Sequence, residues 1–157
     1  MKGNDQVIQA LNGLLSWELA AMDQYFIHSR MYDDWGLHKL FERIDHEFDD
    51  EKGHAASLIE RILFLEGTPD MVTRQAIKVG KDVPAMLQND LDVEYAVDRE
   101  LKSAIKLCES VQDYETRNIL TKLLEDTEVD HAWWLEKQLG LIQKIGLQNY
   151  LQSQMGS

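Results

Sequence analysis

The sequence predicts an all-α protein, a four-helix bundle with a long crossover between its second and third helices and a short fifth helix near the C-terminus. Three observations carry this. Apolar residues recur at alternating steps of three and four through four long segments. No alternating strand pattern competes with them. The two prolines, Pro69 and Pro84, both border the one long stretch without period, EGTPDMVTRQAIKVGKDVP at 66–84.

The first helix is expected over about 4–35, with Leu11, Leu15, Met22 and Tyr25 as its stripe and Trp35-Gly36 as its break. The second, about 38–65, carries Phe41, Ile44, Phe48, Ala55, Leu58, Ile62 and Leu65, with Gly67 as terminator. The third, about 84–111, carries Leu87, Leu91, Val97, Leu101, Ile105 and Cys108. The fourth, about 113–139, carries Leu120, Leu124, Leu135 and Gln138; Gly140 and Gly146 then bracket a connection, and 147–155 forms the small fifth helix. Amphipathic helices of this length pack as a bundle. Short turns make the first and second, and the third and fourth, antiparallel pairs. The crossover at 66–83 can span the bundle when extended, at up to about 3.3–3.6 Å per residue, so the second and third helices run parallel.

Length and composition bound the rest. A chain of 157 residues suits one domain over 1–157 with a sizeable core. No run of eighteen apolar residues occurs, and no signal peptide is seen, so no membrane partner is expected. The formal net charge of −12 is spread along the chain, which repels nucleic acid and draws cations, and equally makes an ordinary solvated surface. The lone cysteine, Cys108, forms no internal disulfide and fits a reducing cytosol, hence a cytoplasmic location.

The stretch IDHEFDDEKGHAASL at 44–58 places Glu51 on the apolar side of its helix, with His54 beside it. Every helix repeats the anomaly: the series 11, 15, 18, 22, 25 includes Glu18; 44, 48, 51, 55, 58 includes Glu51; 87, 91, 94, 97, 101 includes Glu94; and 120, 124, 128, 131, 135 includes Glu128 and His131. A Glu-x-x-His spacing puts both side chains on one face about a turn apart. The unit, a lone Glu followed by Glu-x-x-His, occurs twice, with offsets of 33 and 34 residues between its glutamates. With 13 Glu and 5 His, chance supplies fewer than one Glu-x-x-His; two, both on core stripes and each with a partner Glu at matched distance, point to a metal site, the alternative being i,i+3 pairs on a solvated face with the stripes displaced by one residue. Two such hairpins facing each other focus four carboxylates and two imidazoles on one point. Buried and unpaired, those charges are costly. Raised pKa values relieve the cost in part, and two divalent cations balance it outright. Carboxylate oxygens with one imidazole per ion suit iron or manganese and argue against structural zinc.

Other residues have two readings. His46 and Asp50, one turn apart beside the motif, either hold an iron in passage or form a surface pair. Tyr25 either donates an electron to chemistry at the metals or is a core tyrosine bonded to a carboxylate, and Trp134 carries the same ambiguity. His28 and His38 have no matched partners and read as surface residues. Cys108, Met22 and Met31 read as packing.

In combination with both Glu-x-x-His motifs, DQYFIHSRMYDDWG (23–36), LIERILFLEGTP (58–69) and LGLIQKIGLQNYLQSQM (139–155) resemble the bacterioferritins and related bacterial ferritins over nearly the whole chain. The resemblance implies a ferritin-like fold whose inward Glu and Glu-x-x-His pattern is that family's known di-iron arrangement. It also implies a hollow shell of twenty-four subunits that oxidises Fe²⁺ at an intrasubunit centre, with dioxygen or hydrogen peroxide as oxidant, and stores ferric mineral. It makes Glu18 and His54 terminal ligands of one iron, Glu94 and His131 of the other, and Glu51 and Glu128 the bridges. It matches His46 and Asp50 to an inner-surface iron site, and Tyr25 and Trp134 to aromatics beside the centre. A ferredoxin-type reductant belongs to the same implied set of partners. One departure stands out. The family's haem-ligating methionine follows the second-helix glutamate, where this chain has Lys52. The expectation is therefore a chain that builds no bis-methionine haem site alone, either in a homo-oligomer or as the haem-free subunit of a mixed shell. Two other functions fit parts of the pattern: a di-iron oxidase or peroxidase without storage, and a helical interaction module whose polar core sets register. The absence of a Cys-x-x-Cys pair argues against a rubrerythrin.

Overall fold

The structure, a computed structural model, describes residues 1–156. Helix α1 (Asp5–Asp34) starts where the Asn4 side chain accepts from the amides of Gln6 and Val7 at 2.8 and 3.2 Å. It stops at Trp35-Gly36, and α2 (His38–Phe64) returns antiparallel against it. Helix α3 (Val83–Ser110) is capped by Asp82, which accepts from Ala85 N at 2.9 Å, with Pro84 in the first turn, where a missing N–H is harmless. Helix α4 (Tyr114–Glu125), capped by Asp113, runs into a π-turn (Asp126–Ala132) and on into α5 (Trp133–Ile145), so the fourth rod is continuous but unevenly wound. Gly146, at φ 82°, turns the chain into α6 (Leu147–Ser153).

The architecture is the all-α bundle read from the sequence, with two corrections. Gly140 does not end the fourth rod. Leu139 and Ile142 pack against the core on either side of it, and that burial outweighs the weak helix propensity of one glycine. The uniform period expected over 113–139 is broken by the π-turn, which holds one residue more than an α-turn would.

Side chains of α1 fix the path of the crossover. Asn12 bonds Thr68 O and Asp70 N, Gln75 bonds Ser16, Lys78 N donates to Gln24 Oε1, and Gly80 N donates to His28 Nε2 at 3.1 Å. The segment thus climbs α1 from near its start to near its end. That brings α3 in parallel to α2, as the length of the crossover predicted.

The apolar interior falls into two clusters. One gathers Val7, Leu11, Leu15, Leu58, Leu101 and Leu120; the other gathers Tyr32, Leu40, Ile44, Met86, Leu91 and Tyr150. Tyr150 anchors α6 by donating to Gln138 Oε1 at 2.7 Å. Between the clusters lies a layer of buried charge.

Candidate metal centre

Four elements supply that layer: Glu18 from α1, Glu51 and His54 from α2, Glu94 from α3 and His131 from the π-turn, all buried. Glu51 lies at the middle. Its Oε1 is 3.0 Å from His131 Nδ1, and its Oε2 is 3.5 Å from His54 Nδ1. Glu18 Oε2 flanks His54 Nδ1 at 3.0 Å, and Glu94 Oε1 flanks His131 Nδ1 at 3.3 Å. The two imidazoles stack with centroids 5.8 Å apart. Two donor triads result, Glu18–Glu51–His54 and Glu51–Glu94–His131, each with its ligand atoms within 4.8 Å of one another and Glu51 common to both.

Each histidine turns its Nδ1 to the carboxylates and its Nε2 to an acid. His54 Nε2 meets Asp126 at 3.0 Å; His131 Nε2 meets Asp50 at 3.2 Å and contacts Glu47. Partners of this kind fix ring orientation and tautomer. Glu47 is itself buried and held by Arg43 Nε at 2.6 Å; Arg43 also bonds Asp130 and lies over the Trp134 ring at 4.7 Å. Sequence reasoning passed over Glu47, Asp126 and Asp130. The signal for Glu47 was present: it lies four residues before Glu51, on the same face.

Burial and the neighbouring charges shift these groups in opposite directions. Burial, then the charge of Glu51, pushes the Glu18 carboxyl well above its usual range. Burial and the charge of Glu94 push Glu51 the same way, but hydrogen bonds with Glu18, His131 and His54 outweigh them and leave it low. Of these two acids, Glu18 is the one that keeps a proton to higher pH. Burial would lower the His54 pKa, yet its bonds to Glu18 and Glu51 carry it up to about 12. Against the same desolvation, the charge of Glu94 and bonds to Glu47, Glu51 and Glu94 raise His131. Even so, Glu94 Oε2 is buried without a hydrogen-bond partner among the described residues, and Glu51 Oε2 has only the long 3.5 Å approach of His54. Orphaned anionic oxygens beside imidazole nitrogens are donors suited to a hard or borderline divalent cation.

Five of the six expected ligands therefore converge. Glu128 does not: its side chain is 45% exposed and pairs with Lys102 at 3.0 Å. Across a π-turn a separation of four, not three, returns to the same face, so buried Thr127 shares the inner side with His131 and takes the place expected for Glu128. Asp50 reaches the centre's edge, while His46 stays exposed, 3.5 Å from Asp50. Tyr25 is buried and donates to Glu94 Oε1; burial, then the charge of Glu94, raises its pKa. His28, expected on the surface, is fully buried. Its Nδ1 bonds Asp90 at 2.8 Å, and Gln24 donates to the same carboxylate oxygen. Its partners lie on α3 and the crossover, far along the chain, so no local spacing announces them. His38 is exposed and pairs with Glu42, Cys108 is buried, and Met22 and Met31 pack against the core as expected.

The sequence comparisons point to the same helical fold. The ferritin-like domain profile matches residues 8–145. The chain belongs to the ferritin-like domain family. It is 66% identical over 155 residues to a bacterial ferritin of Synechocystis sp., covering 99% of both chains. It is 59% identical to a bacterial ferritin of Paramagnetospirillum magnetotacticum, covering 99% of this chain and 96% of that one. A bacterioferritin of Brucella melitensis is 38% identical, with 96% and 92% covered. The bacterial ferritin and bacterioferritin branch expected from the motifs is thus the one to which this member is similar. Among the described residues no helix is long and apolar enough to cross a membrane.

Proposed function

We propose that this chain stores iron and oxidises Fe²⁺ to Fe³⁺ at the buried carboxylate–imidazole centre. The observation that carries the reading is Glu51, a buried carboxylate presenting one oxygen to each of two histidines. In this reading Fe²⁺ is the substrate. Glu18 and His54 bind one ion, Glu94 and His131 the other, Glu51 spans both, and Glu128 joins as the second spanning carboxylate. The pair of Fe²⁺ ions supplies two electrons to dioxygen or hydrogen peroxide.

The residues of the chain do the remainder. Any proton on an Nδ1 atom must leave for a cation to bind there, and so must any proton on Glu18, whose pKa burial raises. Asp126 on one side, and Asp50 with Glu47 on the other, keep the two rings aimed inward. Asp50 and the exposed His46 next to it form the first polar contacts outward from His131, a path for iron between the centre and the store. The hollow shell of twenty-four subunits, homomeric or mixed with a haem-binding chain, is part of the same proposal. Lys52, exposed on α2, brings no thioether, so this chain alone builds no bis-methionine haem site.

Aerobic Fe²⁺ addition to the metal-free protein, with oxidation followed by absorbance and particle size by light scattering, tests the reading. Fast oxidation and a large shell that accumulates iron are expected. Glu51→Ala should slow the fast phase by about two orders of magnitude, the scale of losing a positioned catalytic group. An unaltered fast phase in that variant refutes the centre, and a dimer that oxidises without accumulating iron refutes storage.

A further inference from the structure

The π-turn breaks the symmetry of the repeated motif. Glu51 is enclosed, whereas Glu128 stands in a surface hollow of about 220 Å³ lined by Tyr95, Asp98, Ala132 and Glu136. Lys102 Nζ lies 3.0 Å from Glu128 Oε1 and 3.0 Å from Asp98 Oδ2. Glu94, Asp98 and Lys102 follow one another at intervals of four on α3, so they share a face. The backbone of Lys102 thus stands about two turns, about 12 Å of helix at 1.5 Å per residue, from that of Glu94.

We propose that Lys102 is a positioning residue for the metal centre: its ammonium holds Glu128 outside, and a divalent cation completes its ligand set by drawing Glu128 away from Lys102. This rests on the reading of Glu128 as a ligand. The two acids on Lys102 differ in kind. Asp98 is on the same helix, four residues away and only 18% exposed; it keeps the ammonium paired when Glu128 leaves. Glu128 is 45% exposed and sits on the turn whose winding decides whether Thr127 or Glu128 faces inward. Its departure strands no charge. A pair with Lys102 58% exposed is weak, so the contact biases Glu128 outward without locking it there. No lysine opposes Glu51, which His131 and His54 already hold inside. The centre is preformed on five residues and completed by a sixth, recruited one. A cation shifts that equilibrium only by the difference in its affinity for the two arrangements.

Titration of the metal-free full-length protein with Co²⁺, followed by d–d absorption, tests this without turnover. Lys102→Met (K102M) should tighten the weaker Co²⁺ by about two- to five-fold, the size of one exposed ion pair. Lys102→Arg, which can still pair, should behave as wild type. Glu128→Gln (E128Q) should weaken that Co²⁺ and alter its absorption. The double variant K102M/E128Q should match E128Q, because nothing remains to release. Tightening that persists in the double variant is a general charge effect and overturns the proposal. Unchanged affinity in K102M, with E128Q weakened, overturns the role of Lys102 and leaves Glu128 a ligand. Unchanged binding in E128Q overturns both.

Discussion

Loading the centre with two divalent cations should expel about three protons. In the metal-free protein Glu18, His54 and His131 all hold their protons to higher pH than the free side chains do, Glu18 through burial and the charge of Glu51, the two rings through the carboxylates around them. A metal at each Nδ1 displaces one proton per ring, and ligation by Glu18 displaces the third. Each displaced proton is worth about 1.4 kcal/mol per pH unit. Three make about 4 kcal/mol, so the product of the two binding constants should fall about a thousandfold for each unit of acidification near neutrality. Zn²⁺ added to the metal-free protein in a pH-stat at pH 7 measures the release directly. Calorimetry in two buffers of different ionisation enthalpy checks it. His54→Gln should release about one proton fewer. A release below about one proton per two ions, or one that His54→Gln leaves unchanged, refutes the assignment of protons to these groups.

The stability of the metal-free protein should fall as pH rises. The folded pKa of His54 lies near 12, against about 6.5 in the unfolded chain. Its contribution is therefore fully present below 6.5 and lost progressively as pH climbs towards the folded value; Glu18, also raised, acts with the same sign. Urea midpoints at pH 6, 8 and 10 report this, and a flat profile contradicts it. Away from the centre, His28→Leu should destabilise by about 2–6 kcal/mol, because it orphans the Gly80 amide and removes a donor from buried Asp90, at about 1–3 kcal/mol per buried group. The exposed position His38 supplies the control: a His28→Leu midpoint no lower than that of His38→Leu would contradict the buried network.

The bundle was legible because helical stripes depend only on period, and the convergence of Glu18, Glu51, His54, Glu94 and His131 followed because those stripes keep that period up to the π-turn. Glu128 was misplaced for the complementary reason. Extrapolating one winding through 126–132 assigns it the face that Thr127 occupies, and nothing in DTEVDHA announces the extra residue. Glu47 escaped because acids at three- and four-residue spacing also make ordinary solvated faces, and only Arg43 and His131 closing over it distinguish the two. His28 escaped because its partners, Asp90 and Gly80, are distant in sequence. Crowding, by contrast, fixes Gly80: a Cβ there would meet Met86 N at 2.5 Å.

The separation of the interior into two hydrocarbon masses also bears on access to the layer between them. Val7, Leu15 and Leu58 stopper one end of the long axis, and Leu40, Met86 and Tyr150 stopper the other. On the proposed function, Fe²⁺ and a small oxidant would have to reach the charged midsection sideways, through seams between neighbouring rods. On that reading Asp50 and Asp126, which meet the two histidines from outside, would border the way in, and the residues at the ends would not.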